Sequence, residues 1–303
     1  MRFLFLHLFP FGSFAIVAKQ SKEQGGTRME DEKKHQEDLR RIREFRLIDD
    51  DFMNACLDGN VEATQLILRI ILGRPDITVR RVTTQKVMKN LLGRDVWLDV
   101  DADDADGKVY DVEIQRSDKG ADRKRARYHS SIMDAHLLSH GDDFSDLPES
   151  YVIFITERDV LGGGLAIYGV ERTISETGEA FGDGEHIVYV NGENRNDSTE
   201  LGRLMQDFFC TDPKDMHYKE LADKVRYFKE DEKGVNGMCK ALEDMRREVA
   251  EEARKEVWSE PKKDTIRNLV CMGKLTMEEI AKVVNMPIEK VEEIVDELLV
   301  TAH

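Results

Sequence analysis

The stretch from residue 93 to residue 115 constrains the fold most, because it contains two runs of β-preferring residues joined by an acidic turn (GRDVWLDVDADDADGKVYDVEIQ). The first run, Val96–Val100, carries one carboxylate, Asp99. The turn, 101–107, is rich in Asp and ends in Asp-Gly, a common hairpin sequence. The second run, Val109–Gln115, alternates polar and apolar residues. The pattern therefore predicts a β-hairpin.

The polar residues of this hairpin predict a cation site. The two-residue period of a strand places Glu113 and Gln115 on one face with Cβ atoms about 7 Å apart, and the partner strand can bring Asp99 against that face. Such a group is unfavourable unless a hard divalent cation lies between the side chains. Mg²⁺ takes oxygen ligands and keeps several waters, so two carboxylates and a carbonyl are enough to hold it. Spacing alone leaves a solvated hairpin face open as the alternative.

The order Asp, hairpin, Glu-x-Gln resembles the core of PD-(D/E)XK nucleases, in the variant where Gln replaces the usual Lys. The separated blocks LDVDA, DVEIQ, KRARYHSS and VIFITERD resemble one subfamily in particular, the PD-(D/E)XK nuclease family transposases, also called recombination-promoting nucleases. The resemblance covers residues 48–230. It implies an α/β fold with a restriction-endonuclease-like core, in which helices flank a mixed central sheet, and an all-helical C-terminal extension.

The resemblance also implies a function and roles for individual residues. The function is that of a Mg²⁺-dependent DNA endonuclease, with Mn²⁺ as a substitute, that hydrolyses phosphodiester bonds in recombination or transposition. Asp99 and Glu113 would hold the metal with the main-chain carbonyl of Ile114, and Arg125 would meet the phosphate. Gln115 stands where Lys usually orients or deprotonates the attacking water, but a carboxamide cannot act as a base and can only position it.

A second hypothesis is a catalytically weak or inactive relative that keeps the nuclease fold and binds DNA or protein. Gln115 favours it, as does the formal net charge of −16, which is unusual for a nucleic-acid enzyme.

One basic segment interrupts the acidic chain directly after the hairpin, and we interpret it as a phosphate-binding surface. A solvated helix face is the alternative. Our candidates for binding DNA are Arg116, Arg123, Lys124 and Arg125; Lys119 and Arg127 complete the segment.

The segment 118–139 is predicted to be the long helix of the core. Its stripe of Arg125, Tyr128, Ile132 and Ala135 should lie on the sheet, with Arg125 nearest the acidic cluster. Family members usually show two adjacent aromatic residues where this chain has Tyr128 and His129. We expect His129 on the solvent side, with a weak role in proton transfer as the alternative.

Asp50 and Asp51 open an earlier helix. In many nucleases of this fold a carboxylate from the first helix joins the metal site, but for these two residues we favour capping of the helix N-terminus.

Other patterns complete the predicted sheet. Tyr151–Thr156 is an almost unbroken apolar run, typical of a central strand buried on both faces. Ile77–Val82 is predicted to be a short strand, and Leu165–Val170 with His186–Asn191 a peripheral hairpin pair.

The chain is predicted to contain a nuclease-like domain (29–195), a helical extension (196–260) and a helix-turn-helix-like tail (261–303). The amphipathic stripes of the extension suit either coverage of the core or a homodimer surface. The last helix of the tail, 288–299, is acidic, which favours a structural or protein-contacting role over DNA reading.

The four cysteines are far apart and form no CxxC pair, which favours reduced thiols and a cytoplasmic location.

Residues 1–28 are predicted to be a translated leader outside the fold. The segment Gln24–Gly26 can be encoded by codons that contain a purine-rich ribosome-binding sequence close to Met29, which we take as the native start. A secretory signal peptide is the alternative, because residues 1–18 begin with a basic residue and an apolar run. That run is too short for a membrane span, and none is expected.

Overall fold

The computed structural model describes residues 32–90, 93–116, 120–284, 286–288 and 291–295, and for 252–263 it describes the backbone alone. The chain divides into two compact units, one up to Met238 and one from Cys239. The predicted leader, 1–28, lies outside the described residues. The predicted domain boundaries at 195 and 260 stay predictions.

The first unit is built on a six-stranded mixed sheet. Its strands are β1 (Val79–Met88), β2 (Val96–Asp104), β3 (Val109–Gln115), β4 (Ser150–Thr156), β5 (Ile167–Val170) and β6 (Glu185–Asn191). The strand order is β1-β2-β3-β4-β6-β5. Strands β3, β4 and β6 are parallel to one another, whereas β1, β2 and β5 pair antiparallel with their neighbours. This sheet and its flanking helices confirm the predicted fold class.

The central strand and the outer hairpin agree with the sequence prediction. Every residue of β4 is buried between parallel neighbours, which is why its sequence is almost continuously apolar. Strands β5 and β6 form the predicted antiparallel pair at the sheet edge.

Strand β2 is longer than predicted, because the acidic residues assigned to the turn belong to the strand. Asp101 is buried and pairs with Lys86 Nζ at 2.8 Å and with Arg81 Nη1 at 3.2 Å. Arg81 also pairs with Asp103 at 2.7 Å. Partners on β1 therefore compensate the burial of these charges and allow the strand to run on to Asp104.

Strand β1 was also predicted too short. It extends to Met88 because its backbone pairs with β2 over almost its whole length, up to the pair Met88↔Val96. The polar residues of its second half gave no strand pattern on their own.

The helices are α1 (described from 32 to 44), α2 (Asp50–Leu57), α3 (Val61–Leu72), α4 (Arg123–Leu137), α5 (Glu200–Phe209), α6 (Lys219–Glu230), α7 (Glu232–Met272) and α8 (Met277–Val284). Helices α2 and α3 pack on β1, and α4 packs on β4. No helix in the described part of the chain has the length and apolar character needed to cross a bilayer.

Helix α4 starts later than predicted, and its buried face differs. Asp122 precedes it, and its side chain accepts a hydrogen bond from Lys124 N at 2.7 Å. Of the predicted stripe only Ile132 is buried; Arg125 and Tyr128 are half-exposed and Ala135 is exposed. The residues that face the sheet are Ala126, His129, Ser130, Ile132 and Met133.

The second unit has its own small core, which includes Ile266, Ile280, Val284 and Val291. A capping box lies at the start of α8. Glu279 N donates to Thr276 Oγ1 at 3.3 Å and Thr276 N donates to Glu279 Oε2 at 2.9 Å.

Candidate active site

The carboxylates of Asp99 and Glu113 meet where β2 and β3 stop pairing through their backbones. The backbone register runs from Asp103↔Val109 to Val100↔Val112. Beyond it, Asp99 N donates to Glu113 Oε1 and Ile114 N donates to Asp99 Oδ2, both at 3.0 Å. Side-chain oxygens thus take the place of ladder carbonyls, which fixes both carboxylates at one point.

The strand alternation assumed in the sequence argument does not continue through Asp99. Asp101 is opposite Asp111, whose side chain contacts α4 through His129. Leu98, three residues before Asp101, belongs to a hydrophobic cluster that includes residues of α4. Asp101 and Leu98 thus both face α4 although they are three residues apart. The two-residue period of β2 is therefore interrupted between them. Gln85, which lies between the partners of Val100 and Leu98 on β1, has a left-handed φ of 55°.

Asp99, Asp111 and Glu113 form an acidic cluster that is shielded from water. Asp99 is 8% exposed, and Glu113 and Asp111 are fully buried. Burial raises the pKa of Asp99 to about 8, helped by the nearby charges of Glu113 and Asp50. Burial likewise raises the pKa of Glu113 to about 8, with a further contribution from Asp111. The pKa of Asp111 is well above its ordinary value, chiefly through burial. A cation would relieve this crowding.

Arg125 reaches the cluster from the first turn of α4. Its Nη2 donates to Glu113 Oε2 at 2.6 Å, and its Nη1 donates to the carbonyl of Gly120 at 3.1 Å. Its Nε donates to His129 Nε2 at 3.2 Å. The structure therefore places Arg125 beside the predicted metal ligands.

The expectation that His129 faces solvent is wrong. The residue is 4% exposed and its Nδ1 is 2.9 Å from Asp111 Oδ2. Because Arg125 is always a donor, His129 Nε2 accepts and Nδ1 carries the hydrogen that is donated to Asp111. Burial lowers the pKa of His129, which favours this neutral form.

Sequence reasoning missed Asp111 and His129 as a pair. Two regularities could have found them: Arg125 and His129 are four residues apart on a helix, and Asp111 and Glu113 are two apart on a strand. Asp111, Glu113 and His129 offer ligand atoms that all lie within 4.8 Å of one another. Asp111 Oδ1 is buried and has no hydrogen-bond partner among the described residues.

Asp50 lies near the cluster and does not cap its helix. The capping position is Asp49, and Asp50 and Asp51 occupy the first turn, so the favoured capping interpretation is wrong. Asp50 Oδ1 accepts a hydrogen bond from Asn54 Nδ2 at 3.0 Å. The pKa of Asp50 is raised, first by burial and then by Asp51, and its charge raises the pKa of Asp99 in turn.

Gln115 ends β3, two residues beyond Glu113, and is half-exposed. Within the described residues its side chain makes no hydrogen bond, whereas its carbonyl accepts from Glu157 N at 3.0 Å. Arg116 is held between Asp49 at 2.8 Å and Glu157 at 3.2 Å. Arg116 is therefore less available to a phosphate than expected.

An open groove of about 1160 Å³ leads to the cluster. The predicted DNA-binding residues Lys124 and Arg125 line it, together with Arg94 and Arg127. Arg123 is exposed outside this lining, and Lys119 lies outside the described residues.

A family model described as "PD-(D/E)XK nuclease family transposase" matches residues 58–268, where the sequence motifs indicated 48–230. The match includes the hairpin and α4, and begins after Asp50. No curated protein and no solved structure matches the chain. The extent of the family match, together with the mixed sheet and the acidic cluster on it, shows that the chain belongs to the PD-(D/E)XK nuclease family transposases.

Proposed function

We propose that the protein is a Mg²⁺-dependent DNA endonuclease that hydrolyses phosphodiester bonds during recombination or transposition. Membership of the family supports a nuclease-type function, and nucleases of this type typically use a divalent metal. The observation that carries the proposal is the meeting of Asp99, Glu113 and Arg125 at one point of the sheet.

The donor set fits a hard cation. We assign the metal to Asp99 and Glu113, because these groups offer the oxygen atoms that Mg²⁺ prefers. A metal bound by Asp111 and His129 Nδ1 would displace the hydrogen that Nδ1 donates to Asp111. The ring would then carry its hydrogen on Nε2, which could no longer accept from Arg125, so both hydrogen bonds of His129 would be lost. When bound, the metal would lower the pKa of the attacking water and neutralise charge on the phosphate.

Arg125 is suited to hold the phosphate. Its guanidinium group has five N–H donors, of which the contacts with Glu113, Gly120 and His129 use three. Two donors remain for phosphate oxygens, where they would stabilise charge that develops in the transition state.

Gln115 would position the attacking water through its amide group, because it has no basic function. The Asp111–His129 pair has a positioning role, since His129 accepts from Arg125 and thereby fixes the direction of the guanidinium plane.

Cleavage of supercoiled plasmid DNA with Mg²⁺ or Mn²⁺ tests the proposal. The wild type should nick the plasmid, and Asp99→Ala and Glu113→Ala should abolish nicking. Asp106→Ala, in the exposed turn of the same hairpin, is the matched control and should cleave like the wild type. Equal nicking by wild type, Asp99→Ala and Glu113→Ala would refute the proposed site.

A non-catalytic relative is the second candidate, and Gln115 at the usual Lys position favours it. It predicts DNA binding without cleavage under any metal. Gln115→Lys distinguishes the two functions: cleavage gained only in this variant would identify a fold that has lost its activity.

A further inference from the structure

The groove that leads to the acidic cluster has a positive lining. Arg94, Lys124 and Arg127 are exposed along it, and no carboxylate in the described part of the chain pairs with them. Among the described residues of the lining the one acid is Asp95, which is ion-paired with Lys89 at 2.6 Å. In a chain with a net charge of −16, this groove is a place where a phosphate backbone can bind.

A second hollow, beside α2, lacks this property. Its described lining has four carboxylates against three arginines, and two of these arginines, Arg46 and Arg116, are ion-paired with Asp49. Charge therefore favours the first groove as the path of the strand.

Trp97 lines the same groove and is 57% exposed, although its neighbours Val96 and Leu98 are buried. Within the described residues its ring has no aromatic or cationic partner. A large apolar ring left in water among cations has the composition of a nucleic-acid surface, where cations bind the backbone and aromatic rings stack on bases.

The groove is continuous with the proposed active site. Arg125 and His129 line it as well, and Trp97 precedes Asp99 by two residues on β2. Trp97 therefore lies where nucleotides next to the scissile phosphate would pass.

We propose that the groove binds a DNA strand with unpaired bases next to the cleavage point, and that Trp97 stacks on one of those bases. The proposal rests on the proposed function and narrows its substrate class to single-stranded or locally unpaired DNA. In a continuous duplex each base is already stacked on its neighbours and exposes only its edge, so the face of Trp97 would have no partner.

Equilibrium binding of the full-length protein in EDTA tests this without cleavage. The probes are fluorescein-labelled DNAs of about 16 nucleotides: a thymidine single strand, a fully paired duplex, and the same duplex with a central bulge of unpaired thymidines. The wild type should bind the single strand and the bulged duplex about tenfold more tightly than the paired duplex.

Substitutions then assign the preference to the ring. Trp97→Ala should weaken binding of the unpaired probes about tenfold and leave the paired duplex within about twofold, and Trp97→Phe should restore most of the loss. Phe144→Ala, which removes an 84% exposed aromatic ring outside the groove, should change neither. Circular dichroism of each variant checks its folding.

Equal or tighter binding of the paired duplex, or a Trp97→Ala protein that binds unpaired probes like the wild type, would overturn the inference. If Trp97→Ala fails to fold, Trp97→Phe and Trp97→Leu replace it: Leu fills space but cannot stack, so equal binding by the two would also overturn the inference. The endonuclease proposal is tested separately. If the protein prefers the unpaired probes but does not cleave DNA in Mg²⁺ or Mn²⁺, the endonuclease proposal is refuted and the binding inference stands.

Discussion

At the scale of single residues, the environment of Glu113 determines what the site can do. Its carboxylate is fully buried and accepts from Asp99 N and from Arg125. Its Oε1 is also 3.8 Å from His129 Nδ1. A buried acid with a raised pKa is costly to keep as an anion, so the arrangement is explained best by a cation that the site is built to receive.

The raised pKa values predict how stability depends on pH without metal. Asp99 and Glu113, with pKa values of about 8, keep protons in the folded protein that the unfolded chain releases near pH 4. Their contribution to stability is complete below pH 4 and is lost as the pH rises through 8. Below about pH 6.5 the lowered pKa of His129 adds an opposite slope, so the informative window is about pH 6.5 to 8.

The melting temperature in EDTA should therefore fall across this window, and Asp99→Asn should make the fall shallower. Mg²⁺ should raise the melting temperature most at the upper end, because metal binding requires deprotonated carboxylates. Differential scanning calorimetry measures both effects. Parallel slopes for wild type and Asp99→Asn would mean that Asp99 titrates like an exposed acid.

The geometry of Arg125 predicts that a lysine will not replace it. Arg125→Lys keeps the charge but loses the planar fork that contacts Glu113, Gly120 and His129 together. We expect kcat for plasmid nicking to fall about 100-fold with little change in KM. Arg123→Lys, on the same helix but outside the groove, is the control. Comparable kcat values for the two variants would exclude a role for Arg125 in the transition state.

At the scale of elements, α4 determines both the site and the groove, since it supplies Arg125 and His129 as well as Lys124 and Arg127. Its position depends on small residues against the sheet, of which Ala126 is 1% exposed. Ala126→Leu should destabilise the protein by about 1–3 kcal/mol and reduce cleavage, because the extra volume pushes the helix away.

Ala135→Leu is the matched control, because Ala135 is exposed on the same helix. It should change the free energy of unfolding by less than about 0.5 kcal/mol. Urea unfolding of both variants, with nicking assays below the transition, makes the comparison. Equal effects at the two positions would mean that the described face of α4 is not the packed one.

The sequence predicted strands better than helix phase, for physical reasons. Strand β3 was predicted with its observed bounds and β4 almost so, because runs of alternating or continuous apolar residues indicate strands, even though the polar residues of β3 are buried as well. The face of α4 was predicted one position off, since its buried side includes polar residues such as His129 and Ser130, whose partners come from other elements.

In the site, too, residues whose partners come from other elements could not be paired from the local sequence. Asp99, Glu113 and Arg125 could be predicted to lie together from motif spacing and family resemblance. The Asp111–His129 pair was missed. The spacings make each residue a candidate, but only the register between α4 and β3 pairs them, and two buried polar residues leave no apolar pattern.

At the scale of the whole molecule, every residue assigned to the site and the groove lies in the first unit. The groove has positive side chains although the chain has a formal net charge of −16. DNA should therefore bind through few ionic contacts. With Arg94, Lys124, Arg125 and Arg127 as phosphate ligands, the slope of log K against log salt concentration should be roughly −2 to −3 for a single strand.

Arg127→Ala should make this slope less steep by about 0.7, whereas Arg203→Ala, outside the groove, should leave it unchanged. Fluorescence anisotropy between low and moderate salt measures it. A slope much steeper than −3, unaffected by Arg127→Ala, would place the DNA on another surface.

The most direct test of the central claim is a crystal soaked with Mn²⁺ and measured at the manganese absorption edge. We expect an anomalous peak within coordination distance of the carboxylates of Asp99 and Glu113, and no such peak in Glu113→Gln crystals. A peak within coordination distance of Asp111 and His129 but not of Asp99 would contradict the proposed metal site. So would the absence of a peak at both positions.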